Sequence, residues 1–231
     1  MQSSVIVALD FDTQAEALAL AGQLDPQLCR LKVGSTLFTQ SGPAILNALQ
    51  ELGFDVFLDL KFHDIPQQVA GACKQAAKLG VWMVTVHCAG GLDMLRAARA
   101  ALEGFSGRKP LIVGVTILTS LSSEDLSQLG YACGLIEIVE RYAKLAESAG
   151  LDGVVCSAAE AKIVRESSRK DFLLVTPGIR LATDNNDDQK RVMTPRKAFE
   201  FGSNYIVVGR SITHNPKPLE ALKKIIAEFS R

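Results

Sequence analysis

Three charged side chains in one short stretch have the types and spacing that proton-transfer chemistry requires. Asp59, Lys61 and Asp64 lie within residues 56–66, Val-Phe-Leu-Asp-Leu-Lys-Phe-His-Asp-Ile-Pro, which are otherwise mostly apolar. An unpaired charge in apolar surroundings is strongly unfavourable, so we expect these charges to pair with one another or to take part in a reaction. An acid, a base and an acid in a water-poor site can deliver a proton to a carbon atom.

Structural roles also explain parts of this pattern. Asp64 precedes Ile65, Pro66 and an alanine-rich helical pattern, which is the position expected of a helix N-cap. Asp59 and Lys61 are two residues apart on a predicted strand, share one face and could form a buried ion pair. The three charges together, at the carboxyl end of a strand, favour catalysis over either structural role.

The elements that must position these residues alternate between strand and helix along the whole chain. Eight short β-rich runs are each followed by a helical pattern, and the runs cover residues 5–9, 31–34, 54–61, 81–87, 111–118, 153–156, 172–176 and 205–208. Their lack of polar alternation is typical of parallel strands that are buried on both faces. We therefore predict an α/β fold, a (β/α)8 TIM barrel, with residues 1–231 forming a single catalytic domain.

In such a barrel the active site lies at the carboxyl ends of the strands. Polar, charged or glycine residues occupy most of these positions: Asp10, Lys32, Gly34, Asp59, Lys61, Asp64, His87, Thr119, Ser120, Ser157, Gly178, Arg180, Gly209 and Arg210. The glycine and arginine pairs that follow strands seven and eight suit a phosphate group, since glycine exposes backbone N–H groups and arginine donates two parallel hydrogen bonds. The pattern predicts a phosphorylated substrate.

A long polar connection separates Arg180 from Thr194. Connections between strand and helix usually have about 2 to 6 residues, so this segment is unusually long. Its place beside the predicted phosphate site, with Gln189 as a neutral donor, predicts a lid that closes over the ligand. A mobile surface insertion is the alternative.

Composition and charge exclude several classes of partner. Lysine plus arginine and aspartate plus glutamate number 25 each, so no overall field attracts nucleic acid or an anionic membrane. No uncharged apolar run approaches the roughly 18 to 20 residues of a membrane span.

The five cysteines are far apart and never in C-x-x-C spacing, which indicates a reducing, cytoplasmic compartment. The three histidines are scattered, so we expect no metal site, and no cofactor motif is present.

Five segments of the chain together resemble the orotidine 5'-phosphate decarboxylase family in its bacterial form. They are Phe57–Pro66, Gly80–Val84, Thr176–Arg180, Asp188–Arg191 and Val208–Arg210. The D-x-K-x-x-D spacing alone would indicate only the wider superfamily, whereas the combination is specific and spans the chain from end to end.

The resemblance implies decarboxylation of orotidine 5'-phosphate to uridine 5'-phosphate in de novo pyrimidine biosynthesis, without a cofactor and with Lys61 as proton donor to C6. It also implies a homodimer in which Asp64 of one subunit reaches the active site of the other. The remaining roles it implies are ribose contacts by Asp10 and Lys32, a charged array of Lys32, Asp59, Lys61 and Asp64, a contact near the pyrimidine by Thr119, and phosphate binding by Arg180, Gln189, Gly209 and Arg210.

Two other functions compete with this one. The related hexulose-phosphate synthase and sugar-phosphate decarboxylase branch shares D-x-K-x-x-D but uses Mg²⁺, and a glutamate stands there where this chain has Lys32. A cation at that position would repel Mg²⁺, so Lys32 argues against the magnesium branch. The second rival is a phosphate-binding barrel without catalytic activity, which binding without turnover would reveal.

Overall fold

Eight parallel β-strands form a closed barrel in the computed structural model, which describes residues 3–181 and 193–229. The strands are β1 (Val5–Ala8), β2 (Arg30–Gly34), β3 (Val56–Phe62), β4 (Met83–His87), β5 (Leu111–Val115), β6 (Gly153–Val155), β7 (Leu173–Thr176) and β8 (Tyr205–Val208). Each strand pairs with its neighbour in sequence, and β1 also pairs with β8, which closes the barrel. The predicted (β/α)8 TIM barrel is confirmed.

At least one α-helix follows every strand. The helices are α1 (Gln14–Ala21), α2 (Ser35–Ser41), α3 (Ala44–Glu51), α4 (Pro66–Lys78), α5 (Gly91–Ala100), α6 (Ser123–Gln128), α7 (Leu135–Ser148), α8 (Ala158–Ser167), α9 (Pro195–Glu200), α10 (Arg210–Thr213) and α11 (Pro218–Phe229), with a 3-10 turn at Cys88–Gly90. Within residues 3–181 and 193–229, no helix combines the length and the apolar character that crossing a bilayer requires.

The helical segment after β2 differs from the sequence pattern, which predicts one helix from about Gly42 to Leu52. The structure has two helices there, α2 and α3. Gly42 ends α2 with a φ of +59°, a conformation that glycine adopts without steric cost, and Pro43 then precedes α3. The chain therefore bends at this glycine and proline.

The core has two layers, as expected for a closed barrel with an outer ring of helices. The larger layer packs the helices against the outer faces of the strands. A smaller cluster fills the barrel interior and consists of Ile6, Ala8, Phe57, Trp82, Met83, Val113, Val175 and Val207. Inward-facing residues of the strands supply most of this inner layer, with Trp82 just before β4, and the layer forms an apolar floor beneath the carboxyl ends of the strands.

A buried arginine closes the amino-terminal end of the barrel. Arg30, the first residue of β2, has its guanidinium carbon 4.1 Å from the ring centre of Trp82 and 5.4 Å from that of Tyr205. Its Nε lies 3.5 Å from a carboxylate oxygen of Asp55, which also binds Arg108. These contacts neutralise a buried charge at the end of the barrel that usually serves stability.

Candidate active site

A cavity of about 480 Å³ opens at the carboxyl ends of the strands. Nine of the residues that the sequence assigns to the site line it: Asp10, Lys32, Asp59, Lys61, Thr119, Gly178, Arg180, Gly209 and Arg210. The apolar floor of this cavity includes Ala8, Phe57 and Val207 of the inner core layer. The fold thus gathers ionisable groups from distant parts of the sequence around one pocket.

Four of these side chains form a row of alternating charges. The Lys32 ammonium group donates a hydrogen bond of 2.9 Å to Asp10 Oδ1 and lies 3.6 Å from Asp59 Oδ2. The Lys61 ammonium group donates to the same Oδ2 atom at 2.9 Å. The order is therefore Asp10, Lys32, Asp59, Lys61, with Asp59 between two cations.

The middle of this row is buried, whereas its end faces the cavity. Asp59 is 8% exposed, and the Lys61 side chain is 35% exposed. Burial alone would raise the pKa of the Asp59 carboxyl group. The charges of Lys32 and Lys61, together with hydrogen bonds from Lys61 and Thr85, outweigh burial and hold that pKa below its ordinary value. Asp59 is therefore a carboxylate at neutral pH, held beside a partly accessible ammonium group.

Gly34, at the end of β2, leaves room for the first pair of the row. A Cβ atom at this position would lie 3.2 Å from Lys32 Nζ and 3.5 Å from Asp10 Oδ1. A larger residue would require the Lys32 ammonium group to shift by a few tenths of an ångström. The small size of glycine therefore favours the close approach, whereas its φ of −95° is open to other residues.

The end of β3 is irregular, which the strand pattern did not predict. A regular strand would place Asp59 and Lys61 on one face, but the pairing of β3 with β4 shifts between Leu58 and Phe62. Lys61 adopts a φ of +52°, the left-handed region, and is alone among the described non-glycine residues in doing so. The predicted contact between Asp59 and Lys61 forms, but through a bulge instead of regular strand geometry.

Asp64 lies apart from the row of charges. It is exposed and lies outside the cavity lining, and within the described parts of the chain it makes no ion pair. Its carboxylate accepts a hydrogen bond of 2.6 Å from the Ile65 amide. Helix α4 begins at Pro66 with Ile65 at the N-cap position, so the interpretation of Asp64 as the N-cap was wrong by one residue.

The ends of β7 and β8 supply the predicted phosphate-binding residues. Arg180 follows β7 and is 8% exposed, while Gly209 and Arg210 follow β8 at the start of α10. The Arg180 amide donates to the Met193 carbonyl at 3.1 Å, and the Met193 amide donates to the Gly178 carbonyl at 3.2 Å. These bonds join the two ends of the long connection. Residues 182–192 of that connection, with Gln189, lie outside the described residues, so the predicted lid and the role of Gln189 stay predictions.

Two of the three histidines lie close together, which the sequence did not predict. The rings of His63 and His87 lie 5.2 Å apart at the carboxyl end of the barrel. Burial lowers the pKa of His87, and the charges of His63 and Lys61 lower it further, against an opposing effect of Asp59. In residues 3–181 and 193–229, no three histidine, cysteine, aspartate or glutamate side chains are grouped so that they could hold a metal ion.

The sequence pattern did not predict one polar residue beside the row. Thr85, in the middle of β4, is fully buried and donates a hydrogen bond to Asp59. The available signal was a threonine between valines in an otherwise apolar strand. That signal is weak, because threonine is common in strands and only the pairing of β3 with β4 places it against Asp59.

Comparisons with known proteins agree with the fold and show the family of the chain. The model of the Orotidine 5'-phosphate decarboxylase / HUMPS family matches residues 3–225. Orotidine 5'-phosphate decarboxylase from Saccharophagus degradans is 55% identical over 227 residues, which cover 98% of this chain and 95% of the relative. The Pseudomonas paraeruginosa protein of the same name is 55% identical over 228 residues, covering 99% and 98%. The crystal structure of orotidine 5'-phosphate decarboxylase from Lactobacillus acidophilus superimposes with a TM-score of 0.88 at 38% identity, covering 98% of this chain and 99% of that one.

Proposed function

Because the chain belongs to the Orotidine 5'-phosphate decarboxylase / HUMPS family, we propose a division of labour among its residues in the decarboxylation of orotidine 5'-phosphate. The chain is a carboxy-lyase that converts this nucleotide to uridine 5'-phosphate in pyrimidine biosynthesis. The observation that carries the assignment of roles is the row of alternating charges, which ends with Lys61 at the cavity.

The reaction breaks the bond between C6 of the pyrimidine and the carboxylate carbon. The electron pair of that bond stays on C6, and carbon dioxide leaves. Because C6 is an sp2 carbon whose lone pair lies in the ring plane, the ring offers little delocalisation. The protein must stabilise this carbanion electrostatically and supply a proton to it, which a fixed ammonium group can do without a cofactor.

Lys61 is the residue that fits this role. Its ammonium group belongs to the cavity lining and is held at 2.9 Å by Asp59. One N–H proton of Lys61 moves to C6 as the carbon dioxide leaves, and the resulting amine regains a proton from solvent. Because the cation is already in position before the reaction, no reorganisation is needed when negative charge develops on C6.

Asp59 and Lys32 keep the Lys61 ammonium group in position. Asp59 Oδ2 accepts from Lys61 and also lies 3.6 Å from Lys32, so the carboxylate is fixed between two ammonium groups. Asp59 also disfavours the substrate carboxylate beside it, although preorganised stabilisation of the carbanion is the larger effect we assign to the array. Lys32 and Asp10, at the other end of the row, contact the ribose.

The remaining residues of the cavity bind the rest of the nucleotide. Arg180, Gly209 and Arg210 hold the phosphate with Gln189, and Thr119 lies near the pyrimidine. In support, Thr119 follows β5, the two arginines follow β7 and β8, and all three residues line the cavity. Glycine and arginine at these two strand ends are the usual phosphate-binding arrangement of this fold.

The position of Lys32 argues against the magnesium-dependent branch of the family. In this chain the ammonium group of Lys32 is 2.9 Å from Asp10 and 3.6 Å from Asp59. A divalent cation that used these two carboxylates would have to displace Lys32 or share the space with its charge.

Three further properties belong to this proposal. Residues 1–231 act as one catalytic domain, which the pairing of β1 with β8 supports. The chain works in the cytoplasm, which its five free cysteines support.

The chain forms a homodimer in which Asp64 completes the active site of the partner subunit. This role is supported by the exposure of Asp64 and of its neighbour Ile65, which is 63% exposed.

The test is turnover of orotidine 5'-phosphate, followed by ultraviolet absorbance in excess chelator. We expect full activity without added metal. A Lys61→Ala preparation, purified in parallel, controls for decarboxylase carried over from the expression host. Absence of turnover by the parent chain would contradict the function, and turnover restored only by Mg²⁺ would support the alternative branch.

A further inference from the structure

A single buried hydroxyl group joins the two catalytic positions of β3. Thr85 Oγ1 donates a hydrogen bond of 3.0 Å to Asp59 Oδ1 and accepts one of 2.8 Å from the backbone amide of Lys61. The Thr85 side chain has no solvent exposure and does not line the cavity. Any effect of Thr85 on the reaction must therefore pass through Asp59 and Lys61.

The pairing of β3 with β4 explains why a side chain makes these contacts. Leu58 pairs with Val84 and Phe62 pairs with Val86, so four steps along β3 match two steps along β4. On β4, Thr85 is consequently the one residue opposite the segment between Leu58 and Phe62. A bulge of this kind interrupts the backbone ladder, and the Lys61 N–H group then needs another acceptor. The Thr85 hydroxyl is that acceptor.

The conformation of Lys61 also requires support. Its φ of +52° is unfavourable for any residue with a Cβ atom and persists only where the surroundings hold it. The hydrogen bond from the Lys61 amide to Thr85 lies at this strained residue. Loss of the hydroxyl would free the backbone to relax and would move the ammonium group away from the cavity.

The same hydroxyl sets the orientation of Asp59. One carboxylate oxygen, Oδ2, faces both Lys61 and Lys32, and the other, Oδ1, accepts from Thr85. A carboxylate bound at both oxygens cannot rotate about its Cβ–Cγ bond without losing a partner. Without Thr85, rotation of the Asp59 carboxylate would break only the contacts of Oδ2 with Lys61 and Lys32.

We propose that Thr85 is a positioning residue for decarboxylation, whose hydroxyl holds Lys61 in the bulge and aims Asp59 at the two ammonium groups. The inference rests on the roles proposed for Asp59 and Lys61 and adds a residue that does not touch the substrate. Lys61→Ala tests those roles separately. Parent-like activity in Lys61→Ala would contradict the proposed role of Lys61. If Lys61→Ala is inactive and Thr85→Val keeps the parent's activity, only the inference about Thr85 is wrong.

The test compares Thr85→Val, which removes the hydroxyl at nearly constant shape, with Thr85→Ser, which keeps it. A misplacement of roughly 1 Å can lower a rate by on the order of 10²-fold, so we expect a loss of that order in kcat for Thr85→Val. KM should change little, because Thr85 does not line the cavity. Thr85→Ser should recover most of the lost kcat.

Thr116→Val is the matched control. Thr116 is also a buried threonine at the barrel, 2% exposed, and its hydroxyl donates a 2.9 Å hydrogen bond to the Val155 carbonyl. It lies outside the cavity lining and contacts no residue of the charged row in the described structure. We expect Thr116→Val to lose stability to a similar degree and to keep its kcat.

The pH profile of kcat distinguishes positioning from a purely structural role. The groups that face Asp59 are Lys32 from β2, Lys61 from its own strand and Thr85 from β4, with His87 close enough to interact. Because Thr85 stabilises the carboxylate by a hydrogen bond, the acid limb of the profile should move to higher pH in Thr85→Val and not in Thr116→Val. A loss of stability without a change in positioning would leave the pH of the acid limb unchanged.

Two results would overturn the inference. One is a Thr85→Val enzyme with the kcat and acid limb of the parent; the other is an equal loss of kcat in Thr116→Val. If Thr85→Val does not fold, Thr85→Ala takes its place against Thr85→Ser. Equal kcat values in those two variants would then show that the hydroxyl has no positioning role.

Discussion

At the residue scale, the site depends on one carboxylate with two cationic partners. Asp59 is buried, yet its pKa lies below the ordinary value because Lys32, Lys61 and Thr85 outweigh the effect of burial. Removal of one partner from such a buried group usually costs more than the pair contributes, because the remaining charge is left without compensation. Substitutions in this row should therefore separate into effects on catalysis and effects on folding.

Lys61→Ala is expected to abolish decarboxylation while the fold stays intact. The variant lacks the proton donor, and general acid catalysis contributes roughly 10²- to 10⁴-fold, so kcat should fall by at least that much. Lys32 remains as a partner of Asp59, which limits the loss of stability. The measurements are turnover of orotidine 5'-phosphate and binding of uridine 5'-phosphate by calorimetry.

Lys74→Ala, at an exposed position of α4, is the matched control and should behave as the parent. A Lys61→Ala enzyme with nearly the parent's turnover would show that another group donates the proton.

Asp59→Asn should be less stable than the parent at neutral pH by about 3 kcal/mol, because Lys61 loses its carboxylate partner and Lys32 keeps only Asp10. The folded-state pKa of Asp59 is lower than its unfolded value of about 3.9. Its stabilising effect is therefore fully present above that unfolded value and is lost as the pH falls through the folded value. The difference between parent and variant should shrink with acidification, as measured by urea unfolding from pH 7 down to about pH 3.

Asp12→Asn, at an exposed carboxylate, is the control and should differ little from the parent in stability across this range. A difference between parent and Asp59→Asn that stays constant with pH would contradict the proposed charge state of Asp59.

At the element scale, separate strand ends provide separate functions. The bulged end of β3 provides the reacting ammonium group, and the ends of β7 and β8 provide arginine and glycine for the phosphate. In a closed barrel β8 lies beside β1, so the phosphate side adjoins Asp10 and the row of charges. One nucleotide can therefore contact both groups of residues across a single cavity.

Arg210→Ala should lower kcat/KM for orotidine 5'-phosphate. Expressed as a free energy, the loss should be on the order of 2 to 4 kcal/mol, the usual cost of losing one partner of a desolvated charge pair. Part of the loss should appear in kcat, because binding energy from the phosphate is used to assemble the site. The nucleoside orotidine, which lacks the phosphate, should show no such difference between parent and variant. Steady-state kinetics with both compounds is the measurement.

Arg196→Ala, at an exposed arginine of α9, is the matched control and should change kcat/KM by less than about 0.5 kcal/mol. An equally small effect of Arg210→Ala would place the phosphate elsewhere.

At the scale of the whole molecule, the two ends of the barrel have different tasks. The carboxyl end carries the strained Lys61 and the charged row, whereas the amino end is closed by Arg30, Trp82, Tyr205 and Asp55. Strain at a functional site persists only where the rest of the fold determines the local conformation. The hydrogen bond from the Lys61 amide to Thr85 belongs to that support.

The proposed homodimer makes an arithmetical prediction for mixed dimers. A chain with Lys61→Ala is combined with a chain with Asp64→Ala, and subunits are allowed to exchange. If Asp64 acts across the interface, one site of each heterodimer lacks both groups and the other keeps both, so about half of the parent activity returns per heterodimer. The readout is turnover after mixing, with heterodimers quantified by two affinity tags.

Unmixed variants provide the baseline, and a mixture of Lys61→Ala with Lys61→Ala carrying the second tag controls for exchange itself. Heterodimers that form without any recovery of activity would contradict the shared site.

The sequence was enough to predict the strand and helix pattern and the barrel. It also contains the D-x-K-x-x-D motif directly. Hydrophobic periodicity and turn residues act over a few neighbours, so they are visible in the order of the residues. The motif specified Asp59 and Lys61 as partners because two residues on one strand lie close together in any fold of that strand. The split at Gly42 and Pro43 was also a local signal, and it was missed.

The bulge at β3, the left-handed Lys61, the contact of Thr85 with Asp59 and the approach of His63 to His87 could not be predicted in this way. Each depends on how β3 aligns with β4, and the alignment of two strands is decided by the closure of the whole barrel. The charge state of Asp59 likewise depends on Lys32, which another strand brings to it. Local preferences specify the elements, whereas contacts between elements far apart in sequence arise only when burial of the shared core sets their register.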